Sequence, residues 1–460
     1  MRRGGLGHTG GAVVAALAMV AALGACGGGD DSSDGRLVFW SIFATADRIA
    51  QQEPLLERFT EQTGIEVELV GVAQDQQSQA MISAAASGDL PDVVFHAADR
   101  TPGWAEEGIL DSDAAEAVVE ALGQETFNPG ALQFATVNGR LAAVPSDGWG
   151  QLLLYRTDLF EQAGLAPPDT FEAITTAART LHGDGMIGIV SGTRTANNYT
   201  MQILEAVMLA NGCQLTDSEG RIALTDDACV NALDWYADLM RNYSAGGEQD
   251  TETTRASYLS GTAAMIFWSP HLLDELAGVD LRFPPGCPQC QSDPAFLARN
   301  TGIVSLISGP DSDQPVQFAQ TLNLGITTRA DTEAAIELVT WLLSDGYLDF
   351  LSMAPEGRFP MRTGTPEAPQ AYIDGWAELP IGTADSGAAP VSQLYGPQAV
   401  EAIAAGAGGF ARWGLGTDDA GLVAALYGEL PLTRDLRNAL DGAPADEVAA
   451  SMAAHAEALR

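Results

Sequence analysis

Between Leu37 and Phe95, short apolar runs alternate with amphipathic helices, and that rhythm restricts the chain to an α/β fold. Leu37-Val38-Phe39-Trp40 reads as a buried strand. A helix follows with Leu55, Leu56 and Phe59 on one face, and Gly64 is placed to end it. Ile65 to Leu69 alternates apolar with polar residues, as a strand does; a second helix carries Met81, Ile82 and Ala85, and Val93-Val94-Phe95 closes the series. Strand and helix at this spacing imply βαβ units and a parallel sheet. The chain has 460 residues, and about 425 remain once the first 35 are set aside. A single hydrophobic core stops growing near 250–300 residues, so two lobes are expected.

The first 36 residues are of another kind. Arg2 and Arg3 precede an apolar stretch from Ala12 to Leu23, too short to span a bilayer comfortably but of the length of a secretory signal. It ends in Leu23-Gly24-Ala25-Cys26, which resembles a bacterial lipobox, with cleavage before Cys26 and lipid on that cysteine. A plain signal peptide with a chance cysteine is the alternative. Gly27 to Gly35 is Gly, Ser and Asp only, a flexible tether with a reach of roughly 15–18 Å. The expectation is a signal peptide over 1–25 and a lipidated Cys26 with its tether over 26–36. That places the body outside the cell, held to the membrane by the anchor alone.

Charge narrows the partners. Sixty-one acidic residues stand against 22 basic ones, a formal charge of −39, with the acids spread along the chain as a solvated surface. Phosphate contacts need a basic face, so nucleic acid is not an expected partner. Every basic residue is Arg; the absence of Lys rules out a Walker A lysine and a lysine Schiff base. No metal or cofactor is expected. Cys213, Cys229, Cys287 and Cys290 are an even set in an exported chain, which points to structural disulfides. Three pairings are open; Cys213–Cys229 with Cys287–Cys290 is preferred because each closes a short loop.

Further along, Leu141 to Pro145 and Leu152 to Tyr155 read as strands joined through Gly148-Trp149-Gly150. Asp169-Thr170-Phe171-Glu172 has capping-box spacing and opens a helix through Leu181. Helices are expected near 201–211, 228–241, 331–344, 397–405 and 444–459, and strands at Ala263 to Trp268 and Phe318 to Thr327. Residues 280–300 are Pro- and Cys-rich and read as a connection, and 406–437 follow no clear pattern.

Several of these segments, in order, resemble the family 1 extracellular solute-binding proteins of ABC importers, the group that includes maltose-binding proteins. The resemblance is carried by Ala86-Ser87-Gly88-Asp89-Leu90-Pro91-Asp92-Val93-Val94, by Ala143-Val144-Pro145 with Leu154-Tyr155-Arg156-Thr157-Asp158-Leu159-Phe160 and Pro168-Asp169-Thr170-Phe171, by Gly261-Thr262-Ala263-Ala264-Met265, and by Ala439-Leu440-Asp441-Gly442. Cys287-Pro-Gln-Cys290 departs from the pattern. The resemblance implies a two-lobed type II periplasmic-binding-protein fold with a ligand cleft between lobes joined by crossing hinge segments. It divides the chain into an N-terminal lobe of 37–147 plus 300–355 and a C-terminal lobe of 148–299 plus 356–460. It also implies a monomer that captures a mono- or oligosaccharide and hands it to the transmembrane subunits of an ABC permease.

A sugar ring presents a CH face that stacks on aromatic side chains and hydroxyls that need polar partners. On that chemistry the candidate cleft residues are Trp268, Trp40, Ser41, Asp99, Asp147, Trp149, Asn198, Tyr199, Arg358, Arg412 and Trp413. Trp268 leads, following the Ala-Met strand; Trp40 is equally readable as core. If Arg358 or Arg412 clamps phosphate, the ligand would instead be a glycerophosphodiester or another phosphorylated polyol. A secreted glycoside hydrolase, using paired carboxylates, is the alternative of another class. His-Glu-x-x-His, Gly-x-Ser-x-Gly and P-loop motifs are absent from the sequence. A structural surface lipoprotein is the third reading.

Overall fold

The computed structural model describes residues 35–382, 386–417 and 419–460. Cys26, the signal segment and nearly all of the tether lie outside the described residues.

The first lobe is built on a mixed sheet. In spatial order its strands are Val67–Gly71, Leu37–Ser41, Val93–Ala97, Gln317–Ile326, Val144–Gly150 and Phe359–Pro360. The first three are parallel, with Leu37 opposite Val67 and Phe39 opposite Val93, as βαβ spacing requires. Gln317–Ile326 then runs antiparallel to both neighbours, so the sheet is mixed rather than purely parallel. All five residues of Val93–Ala97 are buried, the pattern of a strand covered on both faces. The helix Ala46–Thr63 stops where Gly64 takes a left-handed φ of 79°, which glycine adopts without steric cost. Asp92 ties the layer together: its carboxylate accepts from Val38 N at 2.7 Å and from Asp331 N at 2.8 Å. The core around this sheet includes Phe39, Phe59, Phe95, Leu324, Tyr347 and Phe350. Each such fully buried side chain contributes about 1.5–3 kcal/mol.

The second lobe has a smaller antiparallel sheet, Met265–Trp268, Leu152–Arg156 and Thr301–Val304. Helices Phe171–Leu181, Asn198–Ala210 and Asp227–Tyr243 cover it, joined by the C-terminal helices through Leu426, Leu436 and Met452. Thr170 caps the first of these by accepting from Ala173 N at 3.2 Å. Trp235 stacks on Phe171 at 3.6 Å between ring centres. The disulfides are Cys213–Cys229 and Cys287–Cys290, the local pairing.

Three features of the strand pairing bear on where the chain passes between the sheets. Gly148 to Gly150 are not a connection but the end of a first-sheet strand, paired with Thr321 to Ala319. The glycines are there for close approach: a Cβ on Gly148 would lie 2.5 Å from Gln320 O, and one on Gly150 2.1 Å from Gln317 Cδ. Thr301–Val304 pairs with Leu152–Arg156 and so belongs to the second sheet; the return to the first falls between Val304 and Gln317. Phe359–Pro360 pairs with Gly148 and Asp147, on the first sheet's edge. A third apolar cluster joins Phe359, Met361 and Trp376 to Leu273, Ala298 and Ile403 where the two lobes meet.

Candidate ligand-binding cavity

A cavity of about 520 Å³ opens beside these crossings. Ile42, Phe43, Gln74, Asp99 and Arg100 form its first-lobe wall, Trp149, Gln320 and Leu322 its floor on the crossing strands, and Asn198, Gln202, His271 and Tyr427 its second-lobe wall. Arg358 and Arg412 also reach it.

The first-lobe wall is set by two strand ends. Ser41 closes the strand Leu37–Ser41, is fully buried, and accepts from Phe43 N at 3.2 Å. Its hydroxyl therefore shapes the turn that presents Phe43, rather than meeting a ligand. Trp40 points to the opposite face, as strand alternation demands, and packs on the cluster of Met81, Val94 and Trp104. Asp99 and Arg100 lie in the short turn after Val93–Ala97. Asp99 Oδ1 and Arg100 Nε are shielded and have no protein partner, while Arg100 Nε stands 3.9 Å from Asp99 Oδ2. A free acceptor beside a free donor matches a pair of hydroxyls.

Asp147 is fully buried below the floor and grips Arg358 with both oxygens, at 2.9 and 2.7 Å. Arg358 gives its remaining nitrogen to Phe350 O and lies 4.3 Å over the Phe350 ring. Arg412 makes one bond to Glu205, Nε to Oε1 at 3.0 Å, and its Nη1 donates to Ala319 O and Gln320 Oε1 at 3.1 and 3.0 Å. Tyr427 completes the group by donating to Glu205 Oε2 at 2.6 Å. Every guanidinium on the cavity wall thus has a carboxylate beside it.

Trp149 exposes part of its indole to the cavity and meets His271 edge-on, 6.0 Å between ring centres. Surrounding protein, with Arg48 next, holds the His271 ring down, to about 4, so at neutral pH it offers one donor and one acceptor. Gly357 leaves the ring its room, since a Cβ there would fall 2.0 Å from His271 Nε2. Asn198 is exposed on the second-lobe wall, where the helix Asn198–Ala210 begins; Asn197 caps that helix through Thr200 N at 3.1 Å.

The other sequence candidates sit elsewhere. Tyr199 is buried and donates to Phe267 O; burial pushes its phenol far up. Trp268 packs against Tyr199, 5.1 Å between ring centres, in the second-lobe core. Trp413 is buried too, donating to Cys213 O at 3.1 Å. Tyr199 and Trp413 spend their polar atoms inside the protein, and Trp268 and Trp40 pack their rings on neighbouring side chains. Among the described residues, Asp99, Trp149, Asn198, Arg358 and Arg412 are the candidates brought together. Phe43, Arg100, Gln202, His271 and Tyr427 went unanticipated. His271 had a signal, three residues beyond the Ala-Met strand's Trp268; Gln202 and Tyr427 are single polar positions on helices with no motif.

Among the described residues, no group of three or more His, Cys, Asp or Glu is arranged to hold a metal, and no helix is long and apolar enough to cross a membrane.

A sequence profile of bacterial extracellular solute-binding proteins matches residues 45–348. YcjN of Escherichia coli (strain K12), named as an ABC transporter periplasmic-binding protein, is 26% identical over 320 residues, covering 68% of this chain and 70% of its own. Two solved structures share the fold. One is the cyclic α-maltosyl-1,6-maltose binding protein of Arthrobacter globiformis, with TM-score 0.67 and 17% identity over 92% of this chain and 98% of that one. The other is maltose-bound MalE3 of T. maritima, with TM-score 0.65 and 19% identity over 92% of this chain and all of that one.

Proposed function

The chain belongs to the bacterial extracellular solute-binding proteins, and on that premise we propose that it captures an uncharged mono- or oligosaccharide in the cavity between its lobes and delivers it to an ABC permease. The observation that carries this reading is the cavity's charge balance. Arg358 gives two nitrogens to Asp147 and the third to Phe350 O, and Arg412 is paired through Nε with Glu205, so each of these guanidinium charges is already balanced by a buried carboxylate. What the cavity offers a ligand besides is the loosely paired Asp99 and Arg100, the amides of Asn198 and Gln202, and the indole of Trp149. Hinge closure would bring the two walls onto the ligand, with contacts from both lobes stabilising the closed form. Maltose and a cyclic maltosyl-maltose in the two fold relatives support the saccharide class.

Lipid on Cys26 would keep the carrier beside its permease, with the Gly/Ser/Asp tether leaving the cleft free to open. A thermal-shift screen of neutral mono- and oligosaccharides, polyols and glycerophosphocholine tests the reading. A ligand at 100 times its Kd adds about 2.7 kcal/mol to stability. A neutral saccharide should give a clear shift that Trp149→Ala and Asp99→Ala weaken. A shift with glycerophosphocholine alone would overturn the ligand class, and release of hydrolysis products would overturn the binding role.

A further inference from the structure

Beneath the cavity floor, three chain segments that pass between the lobes meet at one buried side chain. Gln317 opens the strand Gln317–Ile326 and is 3% exposed. Its backbone N–H donates to Gly409 O at 2.8 Å, tying in the segment that pairs Phe410 with Gln317 on its way to Arg412. Its carboxamide Nε2 donates to Gln151 O at 3.0 Å, and Gln151 N returns a bond to Phe318 O at 2.8 Å. Gln151 is the residue between the last strand position of the first sheet, Gly150, and the first of the second, Leu152.

The space for this carboxamide is made by two glycines. A Cβ on Gly150 would lie 2.1 Å from Gln317 Cδ, and one on Gly406 2.2 Å from Gln317 Oε1. The hydrogen-bonding capacity of the pair is only half used. Gln317 Oε1 and both polar atoms of the Gln151 side chain, itself 5% exposed, have no protein partner. Both glutamines border a second, small cavity of about 20 Å³, lined otherwise by Ser305 and by apolar groups such as Phe171, Val207 and Phe267. That is room for a carboxamide to turn or for one water molecule. A free acceptor on Gln317 and a free donor on Gln151, at the point where the lobes rotate against each other, are complementary.

We propose that the Gln317–Gln151 carboxamide pair is a positioning element of the hinge, holding one hydrogen-bonding arrangement at this lobe angle and exchanging it for another when the lobes rotate. Buried polar groups are costly when unpaired, so the pair makes lobe angles discrete and sets their populations. The proposal rests on the reading of a two-lobed carrier that opens and closes, but not on the identity of its ligand.

The test is the distance between spin labels at Glu57→Cys in the first lobe and Glu172→Cys in the second, measured by pulsed electron resonance on the full chain without ligand. Gln317→Met removes the bond to Gln151 O, and Gln151→Leu removes the two unpaired groups. Each should change the ratio of open to closed distances about tenfold, the shift that 1.4 kcal/mol produces. Gln52→Leu is the control: Gln52 is 1% exposed and also carries an unpartnered Oε1, but within the first lobe, so it should leave the distances as they are. Distributions for Gln317→Met and Gln151→Leu that superimpose on the parent, or an equal shift in Gln52→Leu, would overturn the proposal. If Gln317→Met fails to fold, Gln151→Leu alone decides.

Discussion

Asp147→Asn should cost about 3–5 kcal/mol of folding stability, the range for removing one partner of a buried ion pair. Asp147 is fully buried and Arg358 is 2% exposed, so water cannot replace the lost charge. The carboxylate takes two guanidinium bonds, at 2.9 and 2.7 Å, and one from the Ser146 hydroxyl at 2.7 Å. An asparagine turns one of those oxygens into a donor facing another donor. Arg358 is left charged among the rings of Phe43, Phe95 and Phe350, 4.3 to 5.4 Å away. With roughly 2.1 cal/mol/K of unfolding entropy per residue, about 425 residues give roughly 0.9 kcal/mol/K, so Tm should fall about 3–6 °C. Urea denaturation of the ligand-free protein, followed by tryptophan fluorescence, measures the loss directly. The double variant Asp147→Leu, Arg358→Met removes the charge together with its partner and should recover most of the stability. A single variant within about 0.5 kcal/mol of the parent would refute the reasoning, placing the pair with exposed ion pairs.

Three further outcomes follow from the same structure. Replacing Cys213 and Cys229 by Ser, which opens a loop of sequence separation 16, should cost about 3 kcal/mol by denaturation, and more than the same change at Cys287 and Cys290, separation 3. Burial, with Glu356 next, pushes the Asp274 carboxyl up to about 8, and burial pushes Glu275 up to about 7. The folded state therefore keeps protons that the unfolded chain has released above about pH 4, and this contribution to stability is lost as pH rises toward 8. Melting curves from pH 5 to 8 should show Asp274→Asn gaining on the parent as pH rises; a constant gap would contradict the assignment. Trp268→Ala should cost about 3–5 kcal/mol through lost packing on Tyr199, with ligand affinity measured below the transition changing little.

What the sequence made legible was mostly local. The Gly64 and Thr170 helix boundaries, the strands around Val93 and Met265, and the two disulfides each follow from signals a few residues long. Of the cavity's lining, the sequence pointed to Asp99, Trp149, Asn198, Arg358 and Arg412, which lie near strand ends, turns or a helix start. Trp40, Trp268 and Trp413 do not line this cavity; an indole near a strand end is as useful to a core as to a ligand, and only the partner atoms distinguish them. Gly148 and Gly150 read as a connection because sequence does not show whether a glycine relieves a turn or admits a neighbouring strand. Arg358 and Arg412 could not be read as paired, since Asp147 and Glu205 lie 211 and 207 positions away along the chain.

The central claim is that the cavity recognises an uncharged polyhydroxylated ligand because Arg358 and Arg412 are each paired with a buried carboxylate. Isothermal titration of the full chain with the saccharide that gives the largest thermal shift, against that sugar's 6-phosphate, tests it most directly. The account predicts that the neutral sugar binds at least about tenfold more tightly, a difference of 1.4 kcal/mol. Tighter binding of the phosphate would show that Arg358 or Arg412 takes up an anion despite its carboxylate partner, or that Arg100 does, and would contradict it.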